Sequence, residues 1–293
     1  MSSILRLPQK LLYHLYTSFL FTKSDIKTTV IPVSVLACAS APLTNIAHLP
    51  HVVFWVWFHV LQFDVSNQTL DPEEDENNKR DRPLPAKRIS LRDALILRWL
   101  LVPACWAMSY WYSKEVMYAS IGLTFLTVVY DELGAHAGHY IVRNLVNALG
   151  FVTFEVGASL IAGNDIHYLD STARLSILCS AGIFFTTIQS QDFKDVEGDT
   201  MIGRKTIPIV HPTLAAPTLA LALMTWAVGL AYLWHTNFLV TAASNILSLW
   251  VGVCYMTSST VKEYQRSFYL YNVWLTTMHG LPLTWRLASG ALA

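Results

Sequence analysis

Charge is scarce in this sequence. Only 14% of its 293 residues are Asp, Glu, Lys or Arg, against roughly 25% in a soluble domain. The two signs balance to zero, which removes the basic footprint of a nucleic-acid-binding protein. Cysteine is equally sparse. Cys38, Cys105, Cys179 and Cys254 each sit alone in an apolar stretch, a spacing that fits neither a disulfide framework nor a zinc cluster. They read as small buried residues. A Walker-type phosphate loop is absent. The first 25 residues lack the clean apolar core and small-residue cleavage site of a signal peptide; residues 10–22 instead pattern as an amphipathic helix, either lying at a membrane interface or a short cytosolic helix.

What fills the sequence is apolar: 53% of residues are hydrophobic. A membrane-spanning helix needs about 20 mostly apolar residues. Nine runs approach that, near 26–47, 49–66, 93–112, 115–133, 143–163, 172–191, 212–234, 237–257 and 268–287. The second and ninth fit least well, because each carries polar residues. The expectation is an all-α, multi-pass helical bundle with about nine transmembrane helices around a central cavity. Residues 1–25 form an interfacial segment and 26–293 one membrane domain. Lys and Arg concentrate in the gaps after even-numbered runs, above all 67–92 and 192–211. By the positive-inside rule those gaps face the cytosol. They lie an even number of spans apart, so they meet on one side of the membrane.

Both gaps hold acids at helical spacing. Asn67, Asp71 and Asp75 follow i, i+4, i+8, with Glu74 beside them; Asp192, Asp195 and Asp199 follow i, i+3, i+7. Each set falls on one face of a helix. Carboxylates so placed repel one another unless a cation lies between them. Magnesium takes oxygen ligands and is usually held by a few carboxylates plus substrate phosphates. Lys79, Arg80 and Arg82 follow the first set, and Lys194, Arg204 and Lys205 surround the second. Such side chains suit phosphate oxygens. Solvated loop acids are the bland alternative for either set alone. A calcium loop fits poorly, because Glu76 stands where its glycine belongs and Arg82 where its last glutamate belongs.

The stretches NQTLDPEEDENNKRDRPLP and DFKDVEGDTMIGRKTIP resemble the two aspartate-rich motifs of the UbiA superfamily of intramembrane prenyltransferases. Helix number and motif placement agree along nearly the whole chain. The resemblance implies a helical bundle with a central cavity opening to lipid, Mg2+ bound by the Asp motifs, and diphosphate held by the metal and nearby cations. Gln68 departs from the pattern, standing where many members have Asp. The segments TKSDIKTTVIP and YDELGAHAGHYIVRNLVNALG look similar to a fungal branch that includes membrane terpene cyclases.

The expected activity is therefore Mg-dependent ionisation of an isoprenyl diphosphate, farnesyl or geranylgeranyl, followed by intramolecular cyclisation. Prenyl transfer to an aromatic or other acceptor is the alternative, and a non-enzymatic transporter or scaffold remains open. Asp71, Asp75, Asp192 and Asp195 are the expected catalytic acids and metal ligands, with Asn67 and Asp199 completing the ligand set. Lys79, Arg82, Arg143, Asn147, Lys194, Arg204 and Lys205 are the expected diphosphate contacts. Phe58 and Phe184 are candidates for a cation-stabilising cavity wall, together with Tyr255, Tyr269, Tyr271 and Trp274. Glu155, mid-membrane, is a functional candidate by position: a metal or substrate ligand, a base, a partner for Arg98, or a structural hydrogen bond. Glu132, His136 and His139 share a face if their helix extends that far, a spacing that could bind a transition metal; a loop capping the cavity is the favoured reading. The expected partners are the substrate and the lipid bilayer, with no obligate protein partner. The expected location is the endoplasmic reticulum, active-site loops toward the cytosol.

Overall fold

The computed structural model describes residues 6–43, 45–70 and 79–290. Those residues form helices and connecting turns, with no strand among them. Helix α1 (Arg6–Thr22) leads through a π-turn (Ile26–Val30) into α2 (Ile31–Ser40). Then follow α3 (His48–Gln68), α4 (Leu91–Tyr112), α5 (Lys114–Asp131), α6 (Tyr140–Ala162) and α7 (Ser171–Thr187). A 3-10 segment (Ile188–Lys194) and two short helices, α8 (Val196–Met201) and α9 (Ile207–Val210), connect to α10 (Pro212–Leu233). The chain ends with α11 (Phe238–Thr257), α12 (Val261–Gly280) and α13 (Pro282–Ser289).

Side-chain oxygens start many of these helices by accepting orphan backbone N–H groups. Ser90 caps α4, Ser113 caps α5, Asp170 caps α7 and Asn237 caps α11. Thr260 and Glu263 cap α12 reciprocally. Five segments among the described residues are long and apolar enough to cross a membrane: α4, α6, α7 with its 3-10 extension, α10 and α11. The other long helices carry more polar residues; α3 alone buries His59, Gln62, Asp64 and Gln68. Large apolar side chains such as Trp111, Phe125, Leu178, Leu221 and Ile246 stand exposed around the outside. That belt is what an integral membrane protein turns to lipid.

The helices close a ring. Successive long helices pack side by side, and α12 returns to dock on α2. One core cluster joins α7, α10, α11 and α12 through Phe184, Leu219, Leu223 and Trp274; another joins α2, α3 and α6 through Val33, Val52, Trp55 and Ala158. Phe151 of α6 packs against both. Helix α6 approaches α3 closely because Gly157 leaves room for the Trp55 indole, whose Nε1 donates to Ser109 at 2.9 Å. A Cβ at position 157 would overlap that ring. Gly157→Ala is expected to lower stability by about 1–3 kcal/mol through overpacking, measured as the shift in thermal unfolding in detergent.

Candidate active site

Within the ring lies a cavity of about 740 Å³. One end is charged. Asn67 comes from the last turn of α3, Lys79, Asp81 and Arg82 from the first polar gap, and Asp192, Lys194, Asp195, Asp199 and Arg204 from the second. Arg143 and Asn147, on the first turns of α6, complete it. The two polar gaps thus meet at one end of one cavity. Asp71, Glu74 and Asp75 lie outside the described residues.

The second acidic set does not ride on one continuous α-helix. Asp192 lies in the 3-10 segment, Asp195 at a junction with φ −106° and ψ 6°, and Asp199 in α8. The break matters little to direction, because i and i+3 eclipse in a 3-10 turn, and all three acids still line the cavity. Each acid has a cation. Arg143 donates two parallel hydrogen bonds to Asp192, at 2.7 and 2.8 Å, with both side chains buried. Lys194 pairs with its neighbour Asp195. Arg204 donates to Asp199 at 2.7 Å. The turn that brings Arg204 back runs through Gly203, whose φ of +70° suits glycine best; the Arg204 N–H also donates to the Asp199 carbonyl at 2.8 Å.

Asn67 donates its amide to Asp131 at 3.3 Å, and Ser66 donates to the same carboxylate at 2.7 Å. A carboxylate accepts only, so it is the Asn67 nitrogen that faces Asp131, while the residue as a whole lines the cavity. Asn147 donates to the Arg143 carbonyl at 2.8 Å. At the rim, Lys23 donates to Asp81 at 2.8 Å. That hydrogen bond holds the Asp81 carboxyl below its usual range and raises Lys23. The rim pair therefore stays charged through neutral pH; it is lost as pH falls through the depressed Asp81 value or rises through the raised Lys23 value.

The other end is apolar and aromatic. Phe151 and Phe184 stack at 3.6 Å between ring centroids and 8° between planes. Val60, Leu123, Phe154 and Leu275 surround them, and Phe63, Tyr130, Phe268, Tyr269 and Tyr271 line the walls. Aromatic faces there suit a cationic hydrocarbon.

Several expected residues lie elsewhere. Phe58 stacks on Phe54 at 5.9 Å and packs beside Phe21 and Leu61, not at the cavity; the cavity-facing stripe of α3 is Val60, Phe63, Asp64 and Asn67. Lys205 is exposed beyond the Gly203 turn and does not line the cavity. Glu155 is fully buried but turned away from the cavity. It accepts from Ser180, whose Oγ lies 3.1 Å from His279 Nε2, and His279 Nδ1 lies 3.1 Å from the Pro32 carbonyl. Glu155 thus ties α6, α7, α12 and α2 together. Arg98 pairs with Glu132 instead. Tyr255 and Trp274 belong to the core rather than to the cavity wall. Helix α5 ends at Asp131, so Glu132, His136 and His139 occupy a loop, from which His136 reaches the cavity.

Asp25 and Asp64 also line the cavity, and the sequence patterns above omit both. Asp64 was within reach of the spacing argument, since it lies three residues before Asn67 and shares its face. Asp25 has no such signal.

The UbiA prenyltransferase family matches residues 29–275. A fumagillin beta-trans-bergamotene synthase of Aspergillus fumigatus is 32% identical over 290 residues, 98% of each chain. The chain belongs to the UbiA family. A diterpene cyclase of Hericium erinaceus is 27% identical over 221 residues, covering 73% of this chain and 71% of its own. Among solved structures, a UbiA homolog from Archaeoglobus fulgidus bound to GPP and Mg2+ matches with a TM-score of 0.65 at 14% identity. That match covers 90% of this chain and 99% of the other. The UbiA fold therefore extends over nearly the whole ring, and the charged end of the cavity can be tested for magnesium on its own chemistry. Among the described residues no three His, Cys, Asp or Glu groups form a closed metal cage. The donors are carboxylates and one amide oxygen, arranged openly. Magnesium usually takes one or two carboxylates and fills its shell with water and substrate phosphate, so the donor set fits.

Proposed function

We propose that this UbiA protein ionises an isoprenyl diphosphate, farnesyl or geranylgeranyl, with magnesium and cyclises the resulting cation to a terpene. The observation that carries the reading is one cavity with a charged mouth and an aromatic floor. The synthase and cyclase names of the relatives support it. Asp192, Asp195, Asp199 and Asn67 would hold magnesium, with Asp71 and Asp75 proposed from their motif alone. When bound, the metal neutralises charge developing on the leaving diphosphate. Lys79, Arg82, Arg143, Asn147, Lys194 and Arg204 contact or orient the phosphate oxygens. Phe151 and Phe184 exclude water from the hydrocarbon and turn their faces to the cation.

In the same reading the helices make nine passes, counting α2 with its π-turn, α3, α5 and α12 alongside the five most apolar spans. The membrane is that of the endoplasmic reticulum, and the Lys- and Arg-rich gaps face the cytosol.

The test is acceptor-free. Membranes containing the protein are incubated with magnesium and each diphosphate separately, and the organic extract goes to gas chromatography with mass detection. A new cyclic hydrocarbon or alcohol, absent without magnesium, is expected. Diphosphate release that begins only when an aromatic acceptor is added would make the enzyme a prenyltransferase.

A further inference from the structure

We propose that Asp25 and Asp64 form a further divalent-cation position on the α3 wall, one helical turn deeper than Asn67, shared with an oxygen of the substrate's diphosphate. The inference rests on the proposed function, because the diphosphate completes the site.

Asp64 is 3% exposed and lines the cavity, and its Oδ2 has no hydrogen-bond partner. A buried carboxylate oxygen left in that condition is costly. Asp25 lines the same cavity, and its carboxyl is near enough to act on Asp64. Asp25 is fixed from behind, accepting from the Thr28 hydroxyl at 2.6 Å and the Ser24 hydroxyl at 3.0 Å. Two carboxyl groups close together repel unless a proton or a cation joins them.

The neighbouring cations leave that gap unfilled. Lys23 is engaged with Asp81. Lys27 donates to the Ser24 carbonyl at 3.3 Å and lies over the Tyr269 ring. Lys79 and Arg82 act on Asp64 through their charge, but neither bonds Oδ2. Asn67, whose amide nitrogen is engaged with Asp131, lines the cavity one turn above on the same face of α3. Two carboxylates and an amide oxygen at the edge of a diphosphate cavity are hard donors suited to magnesium.

The test counts cations rather than products. Full-length protein in nanodiscs, saturated with inorganic pyrophosphate, is titrated with Mn2+ and followed by electron paramagnetic resonance. Asp64→Asn and Asp25→Asn are each expected to bind one Mn2+ fewer than the wild type, or to hold it more than tenfold more weakly. Asp195→Asn is expected to lose a different one, and Asp64→Asn with Asp195→Asn to lose two. Unchanged stoichiometry and affinity in Asp64→Asn and Asp25→Asn overturns the site and means that a shared proton joins the pair. If that happens while Asp195→Asn still loses a cation, the proposed function stands. Loss in Asp64→Asn with none in Asp195→Asn leaves this site in place and removes the function. Asp25 is only partly buried, so Asp25→Asn decides the matter should Asp64→Asn fail to fold.

Discussion

Asp195→Ala is expected to reduce magnesium-dependent diphosphate release by at least about 10²-fold, the scale of removing one preorganised electrostatic contact, while thermal unfolding barely moves. Asp195 separates chemistry from fold better than its neighbours. Its side chain is 45% exposed, and among the described residues its only ion pair is with the adjacent Lys194. Exposed pairs of that kind contribute about 0–1 kcal/mol. Lys194 also keeps a second anchorage over the Phe268 ring at 5.3 Å, so the variant should not scramble the second acidic segment. Release rate and melting temperature, measured on one preparation, check both halves. Full activity would remove Asp195 from the site.

Arg143→Ala should do the opposite and damage both. Arg143 and Asp192 are 6% and 3% exposed, and breaking a buried pair from one side costs about 3–5 kcal/mol because a charge is left unpaired. Asp192→Asn combined with Arg143→Met removes both charges and should recover most of that stability. Activity should stay lost, since the double variant lacks both a metal ligand and a phosphate contact. A double-mutant cycle on unfolding and on turnover makes the distinction. If the double variant regained turnover, the Arg143–Asp192 pair would be a structural strut only.

The contrast between these residues shows what sequence pattern could and could not convey. Spacing placed Asp192, Asp195 and Asp199 at one cavity, and the Lys/Arg bias placed both polar gaps at the same end of it. Helix boundaries followed hydropathy closely for seven of the nine runs, where apolar stretches, side-chain caps and polar gaps agree; the first run ends as a helix at Ser40 instead of 47, and the ninth, expected over 268–287, is Val261–Gly280. Phe58 failed for a physical reason. The run from Phe54 to Phe58 is aromatic on several faces of α3, and lipid and a dry cavity select the same residues. Glu155 was conspicuous as a mid-membrane acid, yet it is one residue past Phe154, about 100° around the helix from the cavity-facing stripe. Pattern gives the face, not which neighbour that face meets. Asp25 was illegible for a different reason, since its partner Asp64 lies 39 positions away on another helix.

The resting cavity holds acids and bases in nearly matched pairs, Asp192 with Arg143, Asp195 with Lys194 and Asp199 with Arg204. Under the proposed function, cations already stationed there exchange a carboxylate for a phosphate oxygen, so binding alters partners more than it adds new charges.

The docking of α12 on α2 bears on biosynthesis. His279 of α12 meets the Pro32 carbonyl across 247 positions, and Arg286 of the following α13 meets the Ser40 carbonyl across 246. Contacts so distant in sequence form late. Every acid described at the charged mouth precedes α12 in the chain, so a nascent chain halted before Val261 would own its charges and have no enclosed room in which to use them. Completion of the last long helix thus sets when the cavity closes and, under the proposed chemistry, when a carbocation can first be sheltered.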